Sequence, residues 1–123
     1  METVNSNNVA PAIGPYSHAV EINGMVYTSG MIPLTPEGDL VSDDVTEQTK
    51  QVMENIKNVL KEVDLTYNNI VKTTIFIKNM DDFPKINDVY STYFSDKLPS
   101  RSCVEVSRLP KDVQVEIEVI ASR

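Results

Sequence analysis

The chain has 123 residues, the size of one domain, and its 41% hydrophobic and 24% charged residues predict a folded protein rather than a disordered one. Asp and Glu outnumber Lys and Arg by 18 to 11, and a formal net charge of -7 argues against nucleic acid or an anionic membrane surface as a partner. No apolar run approaches the roughly 20 residues that span a bilayer, Met1–Asn8 show no basic stretch followed by an apolar one, and the single Cys103 forms no internal disulfide, so a cytoplasmic setting is expected.

Nothing along the chain marks a repeat or a linker, so residues 1–123 read as a single domain organised by periodicity. Asn23-Gly24 sits between the apolar runs Ala19–Ile22 and Met25–Thr28 and predicts a tight hairpin. Pro33, Pro36 and Gly38 then predict a loop. Asp44 with Glu47 three residues on resembles a capping box. The stripe Val45, Val52, Ile56, Val59 and Val63, widened by Met53 and Leu60, predicts an amphipathic helix behind it.

Ile70–Lys78 is rich in β-branched residues and reads as a central strand with Val71, Thr73, Ile75 and Ile77 on one side. Pro84 suits a first helical turn, and Phe83, Ile86, Val89, Tyr90, Tyr93 and Phe94 form the stripe of a second helix ending before Pro99. Ser102–Ser107 and Val113–Ala121 read as strands, joined through the turn-rich Arg108–Asp112. In the last strand Val113, Val115, Ile117 and Val119 face one way, and Gln114, Glu116 and Glu118 the other.

Two helices and four or five strands in the order ββαβαββ predict an α+β sandwich with both helices on one sheet face. On this reading Arg101, Cys103 and Glu105 share one strand face and Glu116 lies beside them on the neighbouring strand. A polar face of that kind needs water or a partner subunit, and the subunit is expected.

Arg101 has the chemistry of a carboxylate clamp, since a guanidinium holds both carboxylate oxygens through parallel hydrogen bonds; by spacing alone, a solvated arginine is the commoner case. Glu116, if half buried, would exchange protons near neutral pH, although a solvated strand face shared with Glu118 is the commoner outcome. Cys103 lies two residues from Arg101, where a positive neighbour could lower a thiol pKa; a cysteine within a strand is more often a small apolar wall residue. Tyr16 after Gly14-Pro15, Ser29-Gly30 at a strand end and Asn87 on the second helix could each meet a ligand, but each is more often structural, and His18 reads as a packing residue rather than a base. One His and one Cys do not make a zinc site, and no P-loop, dinucleotide-binding glycine pattern or Ser-His-Asp order occurs.

The run Pro99-Ser100-Arg101-Ser102-Cys103-Val104-Glu105-Val106, continued by Arg108-Leu109-Pro110 and Val115-Glu116-Ile117-Glu118, resembles the signature of the RidA/YjgF family. Ala12-Ile13-Gly14-Pro15-Tyr16-Ser17, Tyr27-Thr28-Ser29-Gly30, Val71-Lys72-Thr73-Thr74 and Asp82-Phe83 resemble it in the same order, so the likeness spans nearly the whole chain. The resemblance implies a chorismate-mutase-like fold, a homotrimer whose sheets form a central barrel with helices outside, and active clefts between subunits. It implies hydrolysis of 2-aminoacrylate, 2-iminopropanoate and related imines, released by pyridoxal-phosphate dehydratases, to 2-keto acids and ammonia. By the same resemblance Arg101 binds the substrate carboxylate, Glu116 positions water and moves protons, the Cys103 region contacts the reacting centre, and Tyr16, Ser29, Gly30 and Asn87 line the pocket. No cofactor is implied, since an imine carbon is already electrophilic and needs orientation, a proton and a water. Met31 departs from the family, where many relatives have glutamine after Ser-Gly, and bears on pocket size. Two other readings stand beside this one: a non-catalytic trimer that senses keto or amino acids through the same arginine, and a ribonuclease, against which the charge of -7 argues.

Overall fold

A computed structural model describes all 123 residues. In chain order it contains β1 (Glu2–Val4), β2 (Ala19–Ile22), β3 (Met25–Thr28), α1 (Val45–Lys61), β4 (Ile70–Ile77), α2 (Phe83–Ser91), β5 (Ser100–Glu105) and β6 (Val115–Ser122). The strands form one sheet in the order β1-β2-β3-β6-β4-β5. Every pairing is antiparallel except β4 with β5, whose parallel arrangement needs a crossover, and α2 supplies it. The architecture is the expected α+β one, with both helices on one face of a mixed sheet; the sheet is open and has six strands.

Local chemistry explains the elements. Asn23 and Gly24 both take positive φ, 52° and 77°, which turns the two-residue hairpin between β2 and β3. The Asp44 side chain accepts the Glu47 N–H at 3.0 Å and caps α1. The other half of the expected box is replaced, because Ser42 Oγ takes the Asp44 N–H. The core forms where Val52, Met53, Ile56, Val59 and Leu60 of α1 and Ile86 and Tyr90 of α2 meet Ile75, Ile77, Val115, Ile117 and Val119 of the sheet. No helix is long and apolar enough to cross a membrane.

The structure corrects the sequence reading in several places. β1 was not expected; it pairs with β2 through three residues of a polar N-terminal stretch. A register shift between Ile70 and Lys72 buries Ile70 and turns Val71 out to solvent, so Val71 does not share the face of Thr73, Ile75 and Ile77. β5 spans Ser100–Glu105 rather than Ser102–Ser107, because its parallel register with β4 begins at Lys72–Ser100, directly after Pro99. β6 starts at Val115 rather than Val113, since Lys111 and Asp112 both sit at φ 56° and turn the chain before it. α2 stops at Ser91, and the Tyr93 and Phe94 rings leave the helix to stand edge-on to Tyr67, at centroid distances of 5.3 and 6.2 Å.

The largest correction concerns Arg101 and Glu116. β4 lies between β5 and β6, so the two residues are not on neighbouring strands. Arg101, Cys103 and Glu105 pair with Thr73, Ile75 and Ile77 and share their helix-covered side, whereas Glu116 alternates with the buried Val115 and Ile117 and projects from the opposite face.

One buried polar side chain fixes the loop that leads from the sheet to α1. Asn55, 3% exposed, donates to the carbonyls of Ile32 and Leu34, both at 3.0 Å. Asn55→Leu leaves the Leu34 carbonyl without its side-chain partner and the Ile32 carbonyl with only the Leu34 N–H, and should destabilise the protein by about 1–3 kcal/mol in urea unfolding, while Asn58→Ala, which removes one exposed contact to the Asn8 carbonyl, should change it by less than about 0.5 kcal/mol.

Candidate functional site

Two places in the fold gather the residues singled out from the sequence. The first is a cleft of about 530 Å³ at the end of β3 and the start of β6, walled by the N-terminal segment, the loop after β3 and the turn before β6. Tyr16, Ser29, Gly30 and Glu116 all line it, together with Ala10, Ile13, Asn55 and Lys111, which were not among the expected pocket residues.

Glu116 lies directly on Gly30. A Cβ added at Gly30 would stand 2.5 Å from Glu116 Oε2 and 2.7 Å from its Cδ, so any other residue there would displace the carboxyl from this position. Ser29 Oγ donates to the Ser17 carbonyl at 2.7 Å, and the Ser29 N–H to the His18 carbonyl at 2.9 Å, tying the Tyr16 turn to the same strand end. His18 does not act as a base here. It is 5% exposed, its Nδ1 accepts the Ser6 N–H at 3.0 Å and its Nε2 pairs with the Ala10 carbonyl at 2.9 Å, so both ring nitrogens are occupied in holding the N-terminal segment. Met31 is buried in the core as well as lining the cleft, held by reciprocal backbone hydrogen bonds to Ile117.

Burial pushes the Glu116 carboxyl above the ordinary carboxylate range, and the negative charge of Glu118 on the same strand face adds to the push. The group therefore holds its proton to higher pH than a solvated glutamate, as a residue that both gives and takes protons must.

The second place is at the sheet edge. Arg101 of β5 lays its guanidinium against α2, 5.1 Å from the centroid of the Tyr90 ring and 5.3 Å from that of Phe83, and its Nη1 donates to Asn87 Oδ1 at 2.8 Å. Phe83, Asn87 and Tyr90 are spaced i, i+4, i+7 and so share one helix face; that spacing was the available signal for the seat of Arg101, and the two aromatics were read only as core. Cys103 is half buried beside them. Burial pushes its thiol up, outweighing the downward pull of Arg101, so it packs as an apolar wall and not as an activated thiolate. Glu105 is occupied structurally, accepting the Met80 N–H at 2.8 Å. No set of three or more His, Cys, Asp or Glu side chains is gathered as a metal site.

The model of a family described as endoribonuclease L-PSP matches residues 7–123. The 2-iminobutanoate/2-iminopropanoate deaminase of Salmonella typhimurium is 45% identical to this chain, covering 99% of it and 98% of the relative. The chain belongs to the RidA/YjgF family. A RutC family protein of Pyrococcus abyssi is 46% identical, covering 98% of this chain and 95% of its own. Among solved structures, Escherichia coli TdcF with bound serine superimposes with a TM-score of 0.95 at 41% identity, covering 100% of this chain and 99% of the other. RidA/YjgF relatives thus share this fold while carrying different functional names, and the assignment of an activity rests on the two places just described.

In this RidA/YjgF chain Glu116 should work against stability. Its folded pKa lies above that of a solvated glutamate, so the native state binds the proton more tightly than the unfolded one, and ionising the group in the cleft is unfavourable. Glu116→Gln should therefore be more stable than the wild type above the raised pKa, and the gain should shrink as pH falls toward the ordinary carboxylate range. Paired urea titrations at pH 7.5 and near pH 4.5 check both the sign and the trend.

Proposed function

We propose that this protein hydrolyses 2-imino acids and their enamine tautomers, such as 2-iminobutanoate and 2-iminopropanoate, to 2-keto acids and ammonia, in clefts that neighbouring subunits of a homotrimer build together. The observation that carries the reading is Glu116 half buried in a cleft against Gly30, its carboxyl pushed up by that burial, while a well-seated arginine, Arg101, stands elsewhere in the chain. The deaminase name borne by the Salmonella relative and the serine bound by E. coli TdcF, an α-amino acid with the same carboxylate end, support it.

In this reading Arg101 grips the substrate carboxylate. Asn87 holds one Nη1 hydrogen, which leaves the other donors of the fork for the two carboxylate oxygens. Protonated Glu116 gives its proton to the imine nitrogen, or to the β-carbon of an enamine, and the resulting iminium carbon becomes fully electrophilic. The Glu116 carboxylate then takes a proton from the attacking water as the C–O bond forms. Returned to the nitrogen of the tetrahedral adduct, that proton makes ammonia the leaving group, and the C–N bond breaks as the keto C=O closes and the hydroxyl proton passes to the Glu116 carboxylate, restoring the starting acid. Tyr16, Ser29 and Gly30 shape the cleft, Cys103 walls the arginine side, and no cofactor takes part.

Distance supports a site shared between subunits. Arg101 is in register with Thr73 and, across β4, with Val119, three residues from Glu116; two strand spacings across and three residues along separate the two Cα atoms by about 14 Å. The side chains also leave opposite sheet faces, and one small imino acid cannot reach both in a single chain. In this reading a second copy brings its Arg101 to the Glu116 cleft, and the open sheet face is the surface through which a trimer would close. The cytoplasm, where pyridoxal-phosphate dehydratases release such imines, is the setting this function implies.

Keto-acid formation from 2-iminobutanoate, generated in place by threonine dehydratase with semicarbazide competing for the imine, tests the reading. Wild type should accelerate it. Arg101→Ala should lower kcat/KM by about 100-fold or more, mainly through KM. Glu116→Gln should lower kcat by about 10²–10⁴-fold. A folded wild type without acceleration contradicts the deaminase function, and the serine-bound relative then favours a trimer that binds amino-acid metabolites without turnover.

A further inference from the structure

We propose that Tyr90, locked by Thr73, is the positioning residue that sets the plane of the Arg101 guanidinium, so that Thr73 governs carboxylate capture without touching substrate. The inference rests on the carboxylate-clamp reading of Arg101.

Three contacts close a loop between sheet and helix. Thr73 Oγ1 and the Tyr90 hydroxyl are hydrogen-bonded at 2.9 Å across the β4–α2 interface. The Tyr90 ring supports Arg101, whose guanidinium carbon stands 5.1 Å from the ring centroid. The Arg101 backbone, in turn, is in parallel register with Thr73 itself. The residue that steers the ring is thus the strand partner of the residue the ring supports.

The polarity of this pair is informative because of where it lies. Thr73 is 0% exposed and Tyr90 6%, amid Ile75, Ile86 and Leu60, where Val and Phe of the same shape would fill the space. A buried hydroxyl pair adds little net stability over an apolar pair of equal volume. What it does add is direction, since one hydrogen bond fixes where the ring edge sits and therefore how its face meets the guanidinium. Free of that bond, the ring could slide on α2 with Arg101 following. Phe83, 5.3 Å from the same guanidinium, and Asn87, bonded to Nη1, restrict the remaining motion. Asn87 takes one Nη1 hydrogen, and the remaining donors of the fork are left for the two oxygens of a carboxylate.

The test compares the double variant Thr73→Val/Tyr90→Phe with Thr73→Ser and wild type. KM and kcat for 2-iminobutanoate are measured alongside calorimetric binding of 2-oxobutanoate, a carboxylate ligand that needs no turnover. The double variant keeps the core volume and should melt close to wild type. Its KM and its Kd for 2-oxobutanoate should both rise by roughly three- to tenfold while kcat holds, the loss expected for one oriented hydrogen bond. Thr73→Ser, which keeps the hydroxyl, should restore both constants. A double variant with unchanged KM and Kd, or one whose kcat falls in step with its melting temperature, overturns the inference and leaves the deaminase function standing. Weakened 2-oxobutanoate binding in a protein whose wild type shows no imine turnover removes the deaminase function and supports the positioning role. A wild type that binds no 2-oxobutanoate overturns the positioning role as well.

Discussion

The antiparallel pairing of β4 with β6 sets the terms for everything else in this molecule. Its register, Thr73 with Val119, Ile75 with Ile117 and Phe76 with Glu116, decides which side chains meet the helices and which leave the other face. A one-residue slip would turn Ile117 and Val119 out of the core and Glu116 into it, where an unpaired carboxyl is costly, so the hydrophobic pattern holds the register and the register holds the site. Because β5 joins the outer side of β4 in parallel, the same constraint puts Arg101 over α2 and away from Glu116.

Glu116 and Arg101, the two halves of the proposed site, are supported in different ways. Glu116 depends on a missing side chain, the absent Cβ of Gly30, and on burial that raises its pKa. Arg101 depends on added ones: two aromatic rings, an amide oxygen and, behind them, a buried hydroxyl. A flexible cation needs its orientation supplied by neighbours, whereas a short carboxylate on a rigid strand needs mainly space and a dry wall. Neither half resembles the arrangement of an ordinary solvated strand face.

The sequence carried most of the framework because the framework depends on short-range signals. Asn23-Gly24, the Asp44 cap and the alternation from Val115 to Val119 each encode a local geometry that tertiary packing left unchanged. What escaped was long-range. Nothing in the run of residues says that β4 inserts between β5 and β6, and this alone undid the expectation that Arg101 and Glu116 are neighbours. The bulge at Val71 and the early end of α2 at Ser91 were hidden for a related reason: apolar residues continued the period after the backbone had left it. Ser29, Gly30, Tyr16 and Glu116 did come together in one cleft. Their motifs lie far apart in the chain, and only family resemblance pointed to that grouping beforehand.

The claim that carries the most weight is that a working site takes Arg101 from one chain and Glu116 from another, and subunit mixing tests it directly. Arg101→Ala and Glu116→Gln proteins, each inactive alone, are unfolded together in equal amounts, refolded and assayed for imine hydrolysis. In a cyclic trimer with random mixing, about a quarter of the interfaces pair an intact arginine with an intact glutamate, so about a quarter of wild-type activity should return. A mixture no more active than the two variants apart would contradict the shared site and require both residues to act within one chain.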